Sequence, residues 1–366
     1  MMSIEQFSAR GRLADTGEGI TTEELQLAAR NHGMPLEGLR YDVTPPGLHY
    51  VLVHYDIPAT NAANWRLTVD GCVEESLSFG LTELRAMGRR TVRVTLECAG
   101  NGRAALQPRP ISQPWLSEAV GTAEWTGVLL SDLMLAAGIR EDAVDVVFTG
   151  ADHGIERGVE QDYQRGLSVT EAIDSGAIVA WEMNGQPLPP QHGYPLRLVV
   201  PGWYGMASVK WLRSIELIDH EFDGFQNSVA YVLRKDAEDP GTAVTRIEPR
   251  ALLIPPGFPD FMTRRRFVAA GPVPLMGRAW SGWAPIERVE VSTDAGVNWH
   301  EATLDAIGND ELAWRAFAYD WEATPGEHVL TVRAYDASGR EQPIEAEWNR
   351  GGFANNTAQR LTVIVT

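Results

Sequence analysis

The chain has 366 residues, 44% apolar, 22% charged and 8% aromatic, the profile of a folded protein with room for two cores rather than a disordered or fibrous one. Thirty-one lysines and arginines stand against 49 aspartates and glutamates, a net charge of −18. That balance disfavours nucleic acid or an anionic membrane as partner, since either repels such a surface at long range. Only Cys72 and Cys98 offer thiols, which excludes zinc ribbons, all-cysteine iron–sulfur sites and a disulfide framework, and no C-x-x-C-H haem motif occurs.

The first residues carry no hydrophobic signal core, and no run approaches the ~20 apolar residues of a membrane span. The expectation is a cytoplasmic chain, periplasmic if a leader has been removed. Thr21 and Glu24 form a capping box for a helix over 21–32, with Gly33 as its stop. WRLTVDG (65–71) and TVRVTLE (91–97) alternate as strands, and Leu81–Met87 reads as a short helix opened by Thr82. Residues 129–138 have helical spacing and a glycine stop, and 142–150 reads as a buried strand. Ser168 and Glu171 suggest a further capping box. Asn184-Gly185 marks a hairpin within 179–188, followed by strand-like PLRLVV and SVKWLRSIELI. Without clean β-α-β alternation, the first part is expected to be α+β.

The polar segment KDAEDPGTA (235–243) marks a boundary. Beyond it short strands recur at roughly ten-residue spacing, with hairpins in 288–302 and 328–340 and a closing strand over 358–366. This pattern predicts an antiparallel β-sandwich, without the Cys…Trp…Cys of antibody domains.

The chemistry concentrates in VRVTLECAGNGRAAL (92–106). Gly100 to Ala105 fits G-x-G-x-x-A after a strand, but a dinucleotide loop must open a helix, and prolines follow at 108, 110 and 114. Cys98 itself has three readings: a nucleophile served by a histidine such as His54, His153 or His192, a soft metal ligand, or a buried structural residue. A second cluster, PLPPQHGYPLRLVVPGWYGMASVKWL (187–212), sets His192, Arg197 and Lys210 among tight turns. In so acidic a chain, such cations point to a phosphate-bearing ligand.

CAGNGR (98–103) together with residues 183–212, GRAWSG and RVEVSTDAGVNW (277–299) resembles the sulfite oxidase family of molybdenum enzymes, from about Leu48 to the end. The resemblance implies an α+β molybdopterin-binding domain (41–238) followed by an all-β, immunoglobulin-like dimerisation sandwich (239–366). Residues 1–40 form an N-terminal extension outside it. It implies the molybdenum–molybdopterin cofactor, with Cys98 as the molybdenum ligand. Tyr50, His54, Asp152, His192, Arg197, Ser208, Val209 and Lys210 match its cofactor-binding positions. Arg103, Trp115 and Tyr231 match its substrate pocket.

Two expected arginines are absent. Leu52 stands at the arginine of the family's R-N-H segment, and Trp283-Ala284-Pro285 follows A-W-S-G where another arginine is expected. At about 1.5–3 kcal/mol per charged hydrogen bond, their loss amounts to roughly 3–6 kcal/mol, or ~10²–10⁴ in oxyanion affinity. Arg109, Arg157 and Arg165 are candidates to compensate. The implied activity is two-electron oxo transfer, sulfite oxidation by default, on a small oxyanion with a separate electron acceptor such as a cytochrome, in a homodimer. The rival readings are a molybdoenzyme for another oxyanion or S-oxide, and a non-catalytic sandwich-bearing binding protein.

Overall fold

The computed structural model describes residues 4–366. Helix α1 (Thr22–Arg30) is closed by the expected box: Thr21 Oγ1 accepts from the Glu24 N–H at 3.2 Å, and the Glu24 carboxylate accepts from the Thr21 N–H at 2.9 Å. Helix α2 spans Leu81–Met87 as expected, but its cap is Gly80 rather than Thr82, the Gly80 N–H donating to the Glu83 carboxylate. Helix α3 (Leu130–Ala137) stops at Gly138, which takes φ +74°. In α4 (Val169–Asp174) Ser168 Oγ accepts from the Glu171 N–H, but the Glu171 carboxylate turns to Trp203 and Arg246 rather than back to the cap. No helix among the described residues is long and apolar enough to cross a membrane.

The first domain is built on two sheets. One orders its strands Leu77–Phe79, Leu67–Gly71, Leu212–Ile218, Asp145–Glu156 and Val159–Ser168. Its Leu67–Gly71 and Leu212–Ile218 run parallel, and its other pairs are antiparallel. The second sheet orders Arg90–Glu97, Val120–Leu129 and Ile178–Met183, with Gln186–Pro187 and Arg197–Val199 both pairing with Ile178–Met183. The Asn184-Gly185 turn has φ of +52° and +73°, the left-handed pair a two-residue hairpin requires. Sheets segregated from few, short helices make this an α+β domain.

Residues 32–39, ahead of the expected boundary at 41, pack into that domain. Met34 and Leu39 lie fully buried in its core, and His32 bridges to Val51 as a strand pair.

The second domain is a two-sheet sandwich. One sheet orders Arg250–Leu253, Gly271–Trp280, Arg315–Ala323 and Thr303–Leu304. The other orders Phe258–Pro259, Arg266–Val268, Arg360–Val365, Gly326–Asp336, Ile286–Ser292 and His300–Glu301. Leu275, Phe317 and Trp321 face Val291, Leu330 and Val363 across the gap, so period-two alternation builds the core. Arg266–Val268 pairs in parallel with the last strand, against the antiparallel expectation. A hairpin joins it to Phe258–Pro259 on its other side, but the last strand comes from the far end of the chain, so no hairpin sets their relative direction.

The domains meet around Glu97, the last residue of Arg90–Glu97 and 1% exposed. Its carboxylate accepts from Asn101 Nδ2 at 3.0 Å and from Trp280 Nε1 at 2.7 Å, and pairs with Arg250 Nε at 3.0 Å. Trp280 and Arg250 belong to the sandwich. Arg250 is itself buried, so removing its counter-charge leaves a cation in low dielectric. Glu97→Ala is therefore expected to destabilise the protein by about 3–5 kcal/mol, read as a lower urea midpoint. An unchanged midpoint would mean the pair contributes nothing.

Candidate active site

Strand Arg90–Glu97 becomes more buried along its length, through Val94 and Leu96, and delivers Cys98 into the interior. The loop that follows is held by its own backbone. Cys98 N–H donates to Ala119 O at 2.9 Å, Asn101 N–H to Cys98 O at 2.9 Å, and Arg103 N–H to Gly100 O at 3.1 Å. Asn101 also accepts from the Ala119 N–H, tying the loop to the neighbouring segment. After Gly102, in the left-handed region at φ +93°, comes only a short 3-10 turn, Arg103–Ala105. No helix opens there to hold a pyrophosphate.

Cys98 sits where two cavities meet, together with Leu52, His54 and Tyr231. The inner cavity is also lined by His49, Tyr50, Asp152, His192, Arg197, Ser208 and Lys210. Arg197 donates to His192 O at 3.1 Å and Ser208 O at 3.2 Å and lies 4.6 Å above the Trp125 ring, with no carboxylate partner among the described residues. Lys210 Nζ donates to Leu52 O at 2.6 Å and Gln191 O at 3.2 Å. Burial pushes both cations' pKa values down, Arg197 to about 10, so its guanidinium stays charged at neutral pH. Burial likewise pushes Asp152 up against the opposing pull of Lys210. His49 is pushed down to about 4 and His192 to about 2 by burial, so both are neutral imidazoles, edge to face at 5.3 Å.

Val209, grouped with Ser208 and Lys210 by resemblance, is not at this cavity. Its side chain packs in the apolar core, its N–H donates to Ala207 O and its carbonyl accepts from Leu198.

The outer chamber, about 820 Å³ against about 60 Å³ inside, contains Arg103 and Trp115. Arg103 packs on Gly100, where a Cβ would fall 2.6 Å from the guanidinium, so any larger residue would displace that guanidinium. It donates from Nε to Gly351 O at 3.0 Å and from Nη1 to Gln113 O at 3.3 Å, and lies 5.0 Å from the Phe353 ring centroid. Its Nη2 has no acceptor among the described residues. The Cys98 thiol is pushed up by burial, with Arg103 and the Trp115 indole pulling the other way. Tyr231 follows a π-helical turn, Gln226–Ala230, and its hydroxyl lies 3.0 Å from His54 Nε2. Burial holds that phenol well above its ordinary pKa.

Of the suggested compensating cations, Arg109 is remote, paired with buried Glu24 at 2.8 Å. Arg165 is buried 5.8 Å from the Tyr231 ring centroid and donates to Gln226 O. Arg157 lines the outer chamber. Ala284 lines neither cavity, and the sandwich reaches the chamber instead through Arg350, Gly351 and Phe353. Sequence reasoning missed His49, Tyr163 and Phe353. His49 adjoins Tyr50 and could have been flagged by that proximity, whereas nothing local ties Phe353 to Cys98.

Can these residues hold a molybdopterin? Buried His49 Nε2, Asp152 Oδ1 and His192 Nε2 have no hydrogen-bond partner in the protein, and all three belong to inner-cavity residues. Such orphans call for a polar occupant. Two cations with no facing carboxylate but Asp152 suit a phosphate. Among the described residues no cluster of three ligating side chains could hold a metal alone. A single soft thiolate suits a metal that arrives with its own sulfur chelate. The residues fit the group.

Residues 54–226 match the family model for the oxidoreductase molybdopterin binding domain, and 259–366 match that for the Mo-co oxidoreductase dimerisation domain. Sulfite oxidase of Gallus gallus is 34% identical over 339 residues, covering 87% of this chain and 72% of that protein. The chain belongs to the sulfite oxidase family of molybdopterin oxidoreductases. Nitrate reductase [NADH] 1 of Arabidopsis thaliana is 31% identical over 348 residues, again 87% of this chain but 38% of its own length. The sulfane dehydrogenase SoxCD from Paracoccus pantotrophus superposes with a TM-score of 0.79 at 25% identity, covering 96% of this chain and 87% of that one.

The family's cofactor is molybdenum–molybdopterin, and Cys98 would supply the protein's sulfur to it. Cys98→Ser is expected to keep the fold and the pterin while losing visible thiolate-to-metal absorption. Survival of that absorption would show that another group ligates the metal.

Proposed function

We propose that this molybdenum oxidoreductase carries out a two-electron oxidation at sulfur, sulfite to sulfate by default. In that reaction sulfite gains an oxygen atom drawn from water, two electrons pass to a separate acceptor such as a cytochrome, and two protons are released. The observation that carries the reading is the free Nη2 of Arg103, presented to the chamber that also contains Cys98. The bound cofactor supplies the two-electron oxygen-atom chemistry, and the protein supplies placement and electrostatics.

The residues' tasks follow from their surroundings. Two backbone carbonyls and the Phe353 ring fix the Arg103 plane, so its remaining N–H groups meet an oxyanion without reorganising. Burial keeps Tyr231 a protonated phenol and His54 a neutral imidazole. With the imidazole N–H donating to the phenol oxygen, the phenol proton is available to the chamber, so this pair can hold and pass one proton. Arg197, Lys210, His192, Ser208, Asp152 and Tyr50 would anchor the pterin and its phosphate. The dimerisation-domain match in the sandwich supports a homodimer.

A second reading is favoured by Leu52, which lines both cavities at the position where the family carries an arginine. With Ala284 off the chamber as well, and a chamber far larger than sulfite, another oxyanion or an S-oxide would also be accommodated. Steady-state assay of molybdenum-loaded protein decides, with an artificial acceptor for oxidations and an artificial electron donor for reductions. Turnover at millimolar sulfite, with kcat/KM lowered ~10–10²-fold in Arg103→Ala, supports the first reading. No turnover of sulfite alongside turnover of an S-oxide would replace it with the second.

A further inference from the structure

The outer chamber's lining carries six arginines against four acidic residues, a locally positive wall in a chain of net charge −18. Not all are free to act. Arg12 pairs with Glu18 at 2.7 Å, and Arg234 donates to the carbonyls of Ser228 and Val229. On the acidic side, Glu156 accepts from Gln226, and Asp239 accepts from the N–H groups of Lys235 and Gly241. Arg10, Arg157 and Arg350 are exposed and have no ion pair among the described residues.

Arg157 is the most deliberately placed of the three. It opens the two-residue turn between Asp145–Glu156 and Val159–Ser168, with φ +50° at Arg157 and +86° at Gly158. Asn-Gly is the usual occupant of such a turn, and an arginine there adopts a backbone most side chains avoid. The turn is pinned from outside: the Gly158 N–H donates to Ser8 Oγ at 2.8 Å. Gly11 lies alongside, its Cβ position 3.5 Å from Arg157 Nε. Residues 8–13 thus run as a strap along the chamber, bringing Arg10 to the same lining. Neither family model reaches this strap. Burial is the main cause lowering the Arg103 pKa, and the charge of Arg157 adds to it, placing the two cations within electrostatic reach.

We propose that Arg157 and Arg10 form an outer anion site at the chamber mouth, which receives an oxyanion substrate before it reaches Arg103. It takes the part of an arginine the family would carry at position 52. The inference rests on the oxyanion reading above, and it makes Arg157 a determinant of substrate capture rather than a participant in the chemistry.

The test uses molybdenum-loaded full-length protein with Arg157→Ala, Arg157→Lys, Arg157→Glu and Arg10→Ala/Arg157→Ala. Arg360→Ala, on an exposed ion pair of the sandwich, serves as control. Sulfate affinity is measured by calorimetry, and sulfite kinetics over a series of salt concentrations. An exposed ionic contact predicts about fivefold weaker sulfate binding and about fivefold higher KM for Arg157→Ala. The loss should be larger for Arg157→Glu and the double variant, and nearly absent for Arg157→Lys, with kcat moving less than twofold. The salt dependence of kcat/KM should flatten as charge is removed.

Equal sulfate affinity across the series overturns the proposal, as does an Arg157→Lys variant as impaired as Arg157→Ala, which would mark a merely structural role. The two readings fail separately. Wild-type protein that ignores sulfite yet binds sulfate more weakly in Arg157→Ala sinks the sulfite reading and leaves the anion site. Sulfite turnover that needs Arg103 but is indifferent to position 157 does the reverse.

Discussion

One buried carboxylate organises the catalytic half of the molecule and joins it to the sandwich. Glu97 directly precedes Cys98, and its partners come from two parts of the chain: Asn101 donates from the cysteine loop, and from the second domain Trp280 donates and Arg250 pairs its charge. A buried ion pair is a weak source of net stability, because desolvation offsets most of the Coulomb gain. What it provides here is position. The cysteine loop cannot shift without leaving a carboxylate and a guanidinium uncompensated. The same seam continues through Ala354 N–H to Ala99 O, Asn355 Nδ2 to Gly102 O and Arg103 Nε to Gly351 O. The sandwich is therefore part of the active-site wall as well as a candidate dimer module.

Around that fixed loop the two cavities divide the electrostatics. The inner one is the smaller, and the burial of its lining keeps its histidines neutral and its arginine charged, with polar atoms that no protein group satisfies. The outer one is wide, and its cations stand at increasing exposure from Arg103 to Arg157. A ligand with an anionic tail is suited to the first, and a diffusing anion to the second. Cys98, His54 and Tyr231 are shared between them, which is where a reacting centre has to be if binding and turnover are to be separate tasks.

Much of this was legible in the sequence, for local reasons. Capping at Thr21 and Ser168, the Asn184-Gly185 turn and the alternating sandwich strands are short-range signals, and each appears in the structure. The cysteine loop and the His192–Lys210 segment were legible because each is one contiguous stretch. What was hidden depends on long-range packing. Phe353 and Gly351 reach Arg103 from the far end of the chain, and Met34 and Leu39 enter a core the N-terminal extension was not expected to share. Val209 shows the opposite limit, since a contiguous match put three residues together where the local turn brings only two to the cavity. Which of Arg109, Arg157 and Arg165 faces the chamber is a question of tertiary placement, and only Arg157 does.

The central claim is that a loop braced by Glu97 offers one protein thiolate to a pterin-borne molybdenum. X-ray absorption at the molybdenum edge of the protein as isolated addresses it directly. The account predicts near-stoichiometric molybdenum with one sulfur neighbour beyond those of the pterin dithiolene, and loss of that neighbour in a protein whose only change is at Cys98. Molybdenum with the same sulfur count in both proteins, or none bound by protein made in cofactor-competent cells, would contradict it.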